Sequence, residues 1–149
     1  MGRARKQDND AFYLLNICDE LLGAPGSREH RFEWLVGDAS PKTGHQRRLP
    51  VDSYWAPLGL VIEVMESQHY EPTKHFDKPD VLTGSGVHRG IQRRIYDERR
   101  AEMLPKHGLT LLVLPISQFA TRRKKILRDP MLDTQTVRRV LQGAGFATT

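Results

Sequence analysis

The chain has 149 residues, 38% of them hydrophobic, and 23 lysines and arginines against 18 aspartates and glutamates, a formal charge of +5. That length suits one domain with one ordinary core, and the moderate basicity favours a polyanionic partner without the excess of a purely architectural protein. A single cysteine, Cys18, excludes an intrachain disulfide and fits a reducing compartment, and no apolar run approaches the roughly 18 residues of a membrane span.

Met1-Gly2-Arg3-Ala4-Arg5-Lys6 is basic, with no long apolar stretch behind it. Residues 1–10 therefore read as a basic arm rather than a signal peptide, and a cytoplasmic protein is expected. Residues 11–149 read as a single domain. Asp8 or Asp10 caps a first helix in which Ala11, Leu14, Leu15, Cys18, Leu21 and Leu22 recur at helical spacing, and Gly23, Pro25 and Gly26 end it. Residues 31–36 alternate as a strand, with Phe32, Trp34 and Val36 on one side and Arg31, Glu33 and Leu35 on the other. Two further strands cover 48–56 and 59–65, joined by a tight turn at Pro57-Leu58, and the second is a nearly continuous apolar run, as in a central strand. Residues 71–87 read as loop. Residues 88–104 form a helix with Ile91, Ile95 and Leu104 inward, stopped by Pro105 and Gly108. Leu109–Leu114 is a buried strand, parallel to 59–65 across the crossover helix. A last helix runs from Asp133 to about Gln142, with Val137, Val140 and Leu141 inward. The fold class is α/β, with a mixed central sheet flanked by helices.

The chemistry concentrates on the 48–65 hairpin. Counting back from a turn that sets Ala56 against Gly59 places Asp52 directly opposite Glu63, with both side chains on one face. Like charges so placed repel. Two readings follow. Either the pair lies on a solvated face among arginines, or a divalent cation sits between the two carboxylates. Glu63 interrupts the most apolar strand of the chain, where an unpartnered carboxylate would be costly, and this weighs towards the second.

Arg48-Leu49-Pro50-Val51-Asp52-Ser53-Tyr54-Trp55, then Leu60-Val61-Ile62-Glu63-Val64, then Gln68-His69-Tyr70 resembles a branch of the PD-(D/E)XK nuclease superfamily related to very-short-patch repair endonucleases. Tyr96-Asp97-Glu98-Arg99-Arg100 and His107–Leu112 extend the likeness, which covers roughly residues 11 to 116. It implies a restriction-endonuclease-like core of helix, three strands, helix and strand. It implies phosphodiester hydrolysis at a metal held by Asp52, Glu63 and the Val64 carbonyl, with Mg²⁺ as cofactor and Mn²⁺ able to replace it. The signature lysine two residues after the Glu is here Met65. By resemblance Gln68 could stand in for it, or a helix arginine such as Arg94 or Arg100, or the site could be inactive. The resemblance also suggests Glu20 as an acid aimed at the site, against the alternative of an exposed helix acid.

His69 is either an acid–base group or a structural histidine at a strand end. Glu66 is either part of the metal shell or an exposed turn acid. His75, His88 and His107 follow no ligand spacing, which with a single cysteine disfavours zinc. Arg48, Arg93, Arg94 and Arg100, and the run Arg122-Arg123-Lys124-Lys125, are candidate phosphate contacts in nucleic acid, DNA before RNA. Against this, local pairing with Asp97, Glu98 and Glu102 could occupy the helix arginines. A homodimer would let so small a domain cut both strands. The alternatives are an inactive nucleic-acid-binding domain on the same core, or an interaction subunit of a larger nuclease complex.

Overall fold

The computed structural model describes residues 9–66 and 89–149. In chain order the elements are α1 (Asp10–Leu22), β1 (Ser27–Val36), β2 (Arg48–Trp55), β3 (Leu60–Met65), α2 (Arg89–Lys106), β4 (Thr110–Pro115), a small hairpin of β5 (Thr121–Arg122) and β6 (Lys125–Ile126), and α3 (Pro130–Gly143). One four-stranded sheet is ordered β1-β2-β3-β4. Its first two pairings are antiparallel and the third, across the α2 crossover, is parallel. The expected α/β class, mixed sheet and element order are present. The β5–β6 hairpin is an addition, where the sequence shows only a basic run. Among the described residues, no helix is long and apolar enough to cross a membrane.

The two faces of the sheet are covered differently. Leu60, Ile62 and Val64 of β3 pack with α1 and α3. Val61 packs with Leu104 of α2. Strand alternation therefore turns Glu63 towards α2. Burial of the apolar residues between sheet and helices is the main stabilising term, and Trp55, Leu60, Ile62 and Leu104 are fully enclosed.

Helix ends depart from expectation for identifiable reasons. The cap of α1 is Asn9, neither Asp8 nor Asp10, and its side chain accepts from the Phe12 amide at 2.8 Å. Asp10 is the first helical residue and serves elsewhere. Its carboxylate accepts from the Ile126 amide at 2.9 Å and pairs with Arg128 at 3.3 Å. Asn9 and Asp10 thus belong to the helix and not to the arm. Gly23, at φ +70, closes α1 as expected. α3 begins at Pro130, earlier than expected, because Asp129 caps it and accepts from the Leu132 amide. Asp133, 4% exposed, accepts from the Asp129 amide and from the Tyr13 hydroxyl at 2.5 Å, which ties α3 to α1. α2 keeps Pro105 inside its last turn and ends at Lys106. Its inward stripe is not Ile91, which is 52% exposed.

β1 starts at Ser27, earlier than expected. Between the pairs Arg31–Pro50 and Val36–Arg48 it takes five steps against two on β2. This bulge breaks the simple alternation. Leu35 is buried while Arg31 and Glu33, expected on its side of the strand, are exposed.

Candidate functional site

β2 and β3 turn through a short helical turn, Ala56–Leu58, closed by Gly59 at φ +57. Ser53 faces Ile62, Tyr54 faces Val61 and Trp55 faces Leu60. This is the register counted from the sequence, and Asp52 and Glu63 come next in it. There the ladder stops. The side chains take over from the backbone: the Asp52 amide donates to Glu63 Oε2 at 2.9 Å, and the Val64 amide donates to Asp52 Oδ2 at 2.8 Å. Two strands that part company are thus bridged by two carboxylates, each held by an N–H of the opposite strand.

The gap opens into a cavity of about 460 Å³. Asp52, Glu63, Val64, Met65 and Glu66 line it from the sheet, with Arg93, Tyr96, Asp97 and Arg100 from α2 and Ala11 from α1. Towards the cavity the inward side of α2 is therefore polar, while Leu104, inward as expected, is buried against Val61. That explains why an apolar count chose Ile91: the helix faces a site there and not a core. Arg100 is the most engaged of these residues. Its Nε donates to the Pro50 carbonyl at 3.0 Å and lies 3.4 Å from Glu63 Oε1, and its Nη1 donates to Asp97 Oδ1 at 3.1 Å. The Arg100–Asp97 pair is one of the local pairings the helix spacing anticipated. Burial and the facing Asp52 push the Glu63 carboxyl up to about 8, although the Arg100 guanidinium pulls it the other way.

Of the sequence candidates, the fold brings together Asp52, Glu63, Val64, Arg93 and Arg100. Arg94 is exposed and does not line the cavity. Glu20 is also exposed, two residues before the C-terminal end of α1, whereas the residue of α1 that reaches the cavity is Ala11. With a rise of about 1.5 Å per residue the two lie more than two turns apart, so Glu20 does not join the carboxylate pair. Arg48 is exposed, 3.8 Å from Glu33, and borders a different hollow near Asp38 and His45. Gln68 and His69 lie outside the described residues. Asp97, which orients Arg100, was not among the site residues read from sequence. Its position three residues before Arg100 was the available signal.

The donor set fits a hard divalent cation. Asp52 and Glu63 face each other, all the donors are oxygen, and a cation could take the place of the proton that Glu63 otherwise keeps. Among the described residues no group of three or more His, Cys, Asp or Glu side chains forms a metal cluster. Backbone carbonyls and water would have to complete the shell, as is usual for Mg²⁺.

Arg122, Arg123, Lys124 and Lys125 make up the β5–β6 hairpin and all four are exposed. A cleft beside the hairpin shares Glu66 with the carboxylate cavity. Compared with known proteins, the chain matches no family model, no curated protein and no solved structure.

Proposed function

We propose that this chain is a metal-dependent nuclease on a restriction-endonuclease-like core, hydrolysing phosphodiester bonds in DNA. The observation that carries the reading is the Asp52–Glu63 pair, bridging the parted strands at the mouth of a cavity walled by the α2 arginines. Asp52 and Glu63 would hold Mg²⁺, or Mn²⁺ in its place, with the Val64 carbonyl as a further ligand. Such an ion supplies Lewis acidity and lowers the pKa of bound water.

The protein's own groups do the positioning. The Val64 amide fixes the Asp52 carboxylate and the Asp52 amide fixes that of Glu63, so neither must reorganise to receive charge. Arg100 is fixed by Asp97 and Pro50 and sets a permanent cation beside Glu63. It supplies the charge that Met65 cannot, and Arg93 faces the same space. Both suit a phosphate with developing negative charge.

Cleavage of plasmid, single-stranded and branched DNA in Mg²⁺ and Mn²⁺ tests this. Loss of outer-shell partners of a metal typically costs 10–100-fold, so Asp52→Ala and Glu63→Ala should each lower the rate by at least about 100-fold. Variants that cut like wild type would remove the assignment. One observation favours a second reading, a non-catalytic nucleic-acid-binding domain: Met65 stands in the cavity where a lysine would assist chemistry. A wild-type chain that binds DNA but fails to cut it under any divalent ion establishes that reading. Failure to bind nucleic acid at all would leave an interaction subunit.

A further inference from the structure

The β5–β6 hairpin makes local choices that work against its own stability. Its two central residues, Arg123 at φ +53 and Lys124 at φ +66, both occupy the left-handed region. A two-residue turn of that shape is the natural place for Asn-Gly, because longer side chains crowd the backbone there. The flanking residues, Arg122 and Lys125, are directly paired across the hairpin, cation against cation. The ion pairs among the described residues leave all four out. What secures the hairpin lies behind its tip. Ile126 is buried, its amide donates to Asp10, and the Leu127 amide donates to the Ala120 carbonyl at 2.8 Å. Asn-Gly would relax the tip, so the cations there run against local preference.

The place of the tip gives the reason. Arg123, Lys124 and Lys125 line a cleft of about 350 Å³ together with Arg128, with Asp10, already bound to the Ile126 amide and Arg128, and with Glu66, at the end of β3. Glu66 also borders the cavity of Asp52 and Glu63. A chain of phosphates would neutralise the repulsion at the tip and could continue from there into that cavity. We propose that the β5–β6 hairpin is a phosphate clamp, which grips the backbone of a nucleic-acid strand and directs it past Glu66 to the carboxylate pair. The strand's destination rests on the nuclease reading; the clamp does not.

The test is the double substitution Arg123→Asn with Lys124→Gly in the full chain, with binding to short fluorescent single-stranded and duplex oligonucleotides read by anisotropy in EDTA. Asn-Gly suits the turn, so the denaturation midpoint should hold or rise. Affinity at low salt should fall on the order of tenfold, and the slope of log K against log salt should become shallower by about 2. Unchanged affinity and slope would overturn the clamp. So would a fall in the denaturation midpoint, which would make Arg123 and Lys124 structural, or wild-type binding to polyglutamate or phosphatidylserine vesicles as tight as to DNA. Binding in EDTA is independent of cleavage. A variant that loses affinity while wild type never cuts DNA sinks the nuclease reading and leaves the clamp. Metal-dependent cutting with no effect of the hairpin sinks the clamp alone.

Discussion

Glu63 holds a proton that an ordinary glutamate would release. Folding encloses it and sets it against Asp52, and the nearby Arg100 only partly offsets this, so its carboxyl is pushed up to about 8. The consequence has a definite sign. The unfolded chain releases this proton near pH 4.5, the folded chain near 8, so between those values the native state binds more protons and stability falls as pH rises. The contribution is fully present below about 4.5 and gone above about 8. Glu63→Gln keeps an oxygen to accept the Asp52 amide but has no proton to lose. In EDTA, urea denaturation should therefore show the variant gaining on wild type between pH 5 and 8.5. The gain should grow steadily with pH across that range. A difference that stays flat across that range would mean that burial and the facing Asp52 do not hold the proton on Glu63 as described. Cys18, by contrast, is buried with its thiol pushed up to about 12, and belongs to the core rather than to chemistry.

At the scale of elements, the link between α1 and the sheet depends on close approach. The Gly26 amide donates to Asp19 Oδ1 at 2.8 Å, and a Cβ at Gly26 would lie 2.4 Å from Ser53 Oγ and 2.6 Å from the Trp55 ring. Beside it Arg28, at the start of β1, binds Asp19 at 2.6 Å and Ser53 at 2.7 Å and lies over the Trp55 ring. Gly26→Ala must displace atoms that are fully enclosed, and overpacking of this kind costs about 1–3 kcal/mol, measurable as a lower urea midpoint. These elements also show what a sequence can reveal. The β2–β3 register was legible because a short turn that sets Ala56 against Gly59 leaves one pairing, and from it followed the meeting of Asp52 and Glu63. The bulge in β1 was not legible, since alternation carries no mark of extra residues. On α2 the apolar spacing finds the buried Leu104 but not the side that carries Arg93, Tyr96 and Arg100, which serve a cavity, and it wrongly includes the exposed Ile91. The β5–β6 strands are two residues each, too short for any periodicity. Arg28 was invisible for a further reason: its partners Asp19 and Ser53 lie 9 and 25 residues away in the chain.

For the whole molecule, the carboxylate pair joins two strands whose outer faces are held by different helices, α2 on one side and α1 with α3 on the other. A ligand that occupies this junction only in the folded chain raises global stability by mass action, by about 2.7 kcal/mol at a hundredfold excess over Kd. Mn²⁺ at pH 8 should therefore raise the thermal midpoint of wild type by several degrees and leave Asp52→Ala unmoved. Equal shifts in both would point to a cation bound elsewhere.

β1 is one of the two outermost strands of the sheet, and at ten residues the longest. An open border of that length invites a strand from another chain to join it. The five-against-two offset after Arg31 bends this border, and the exposed Arg31 and Glu33 add charge to it. The protein thus carries its own guard against stitching sheet to sheet as its concentration rises.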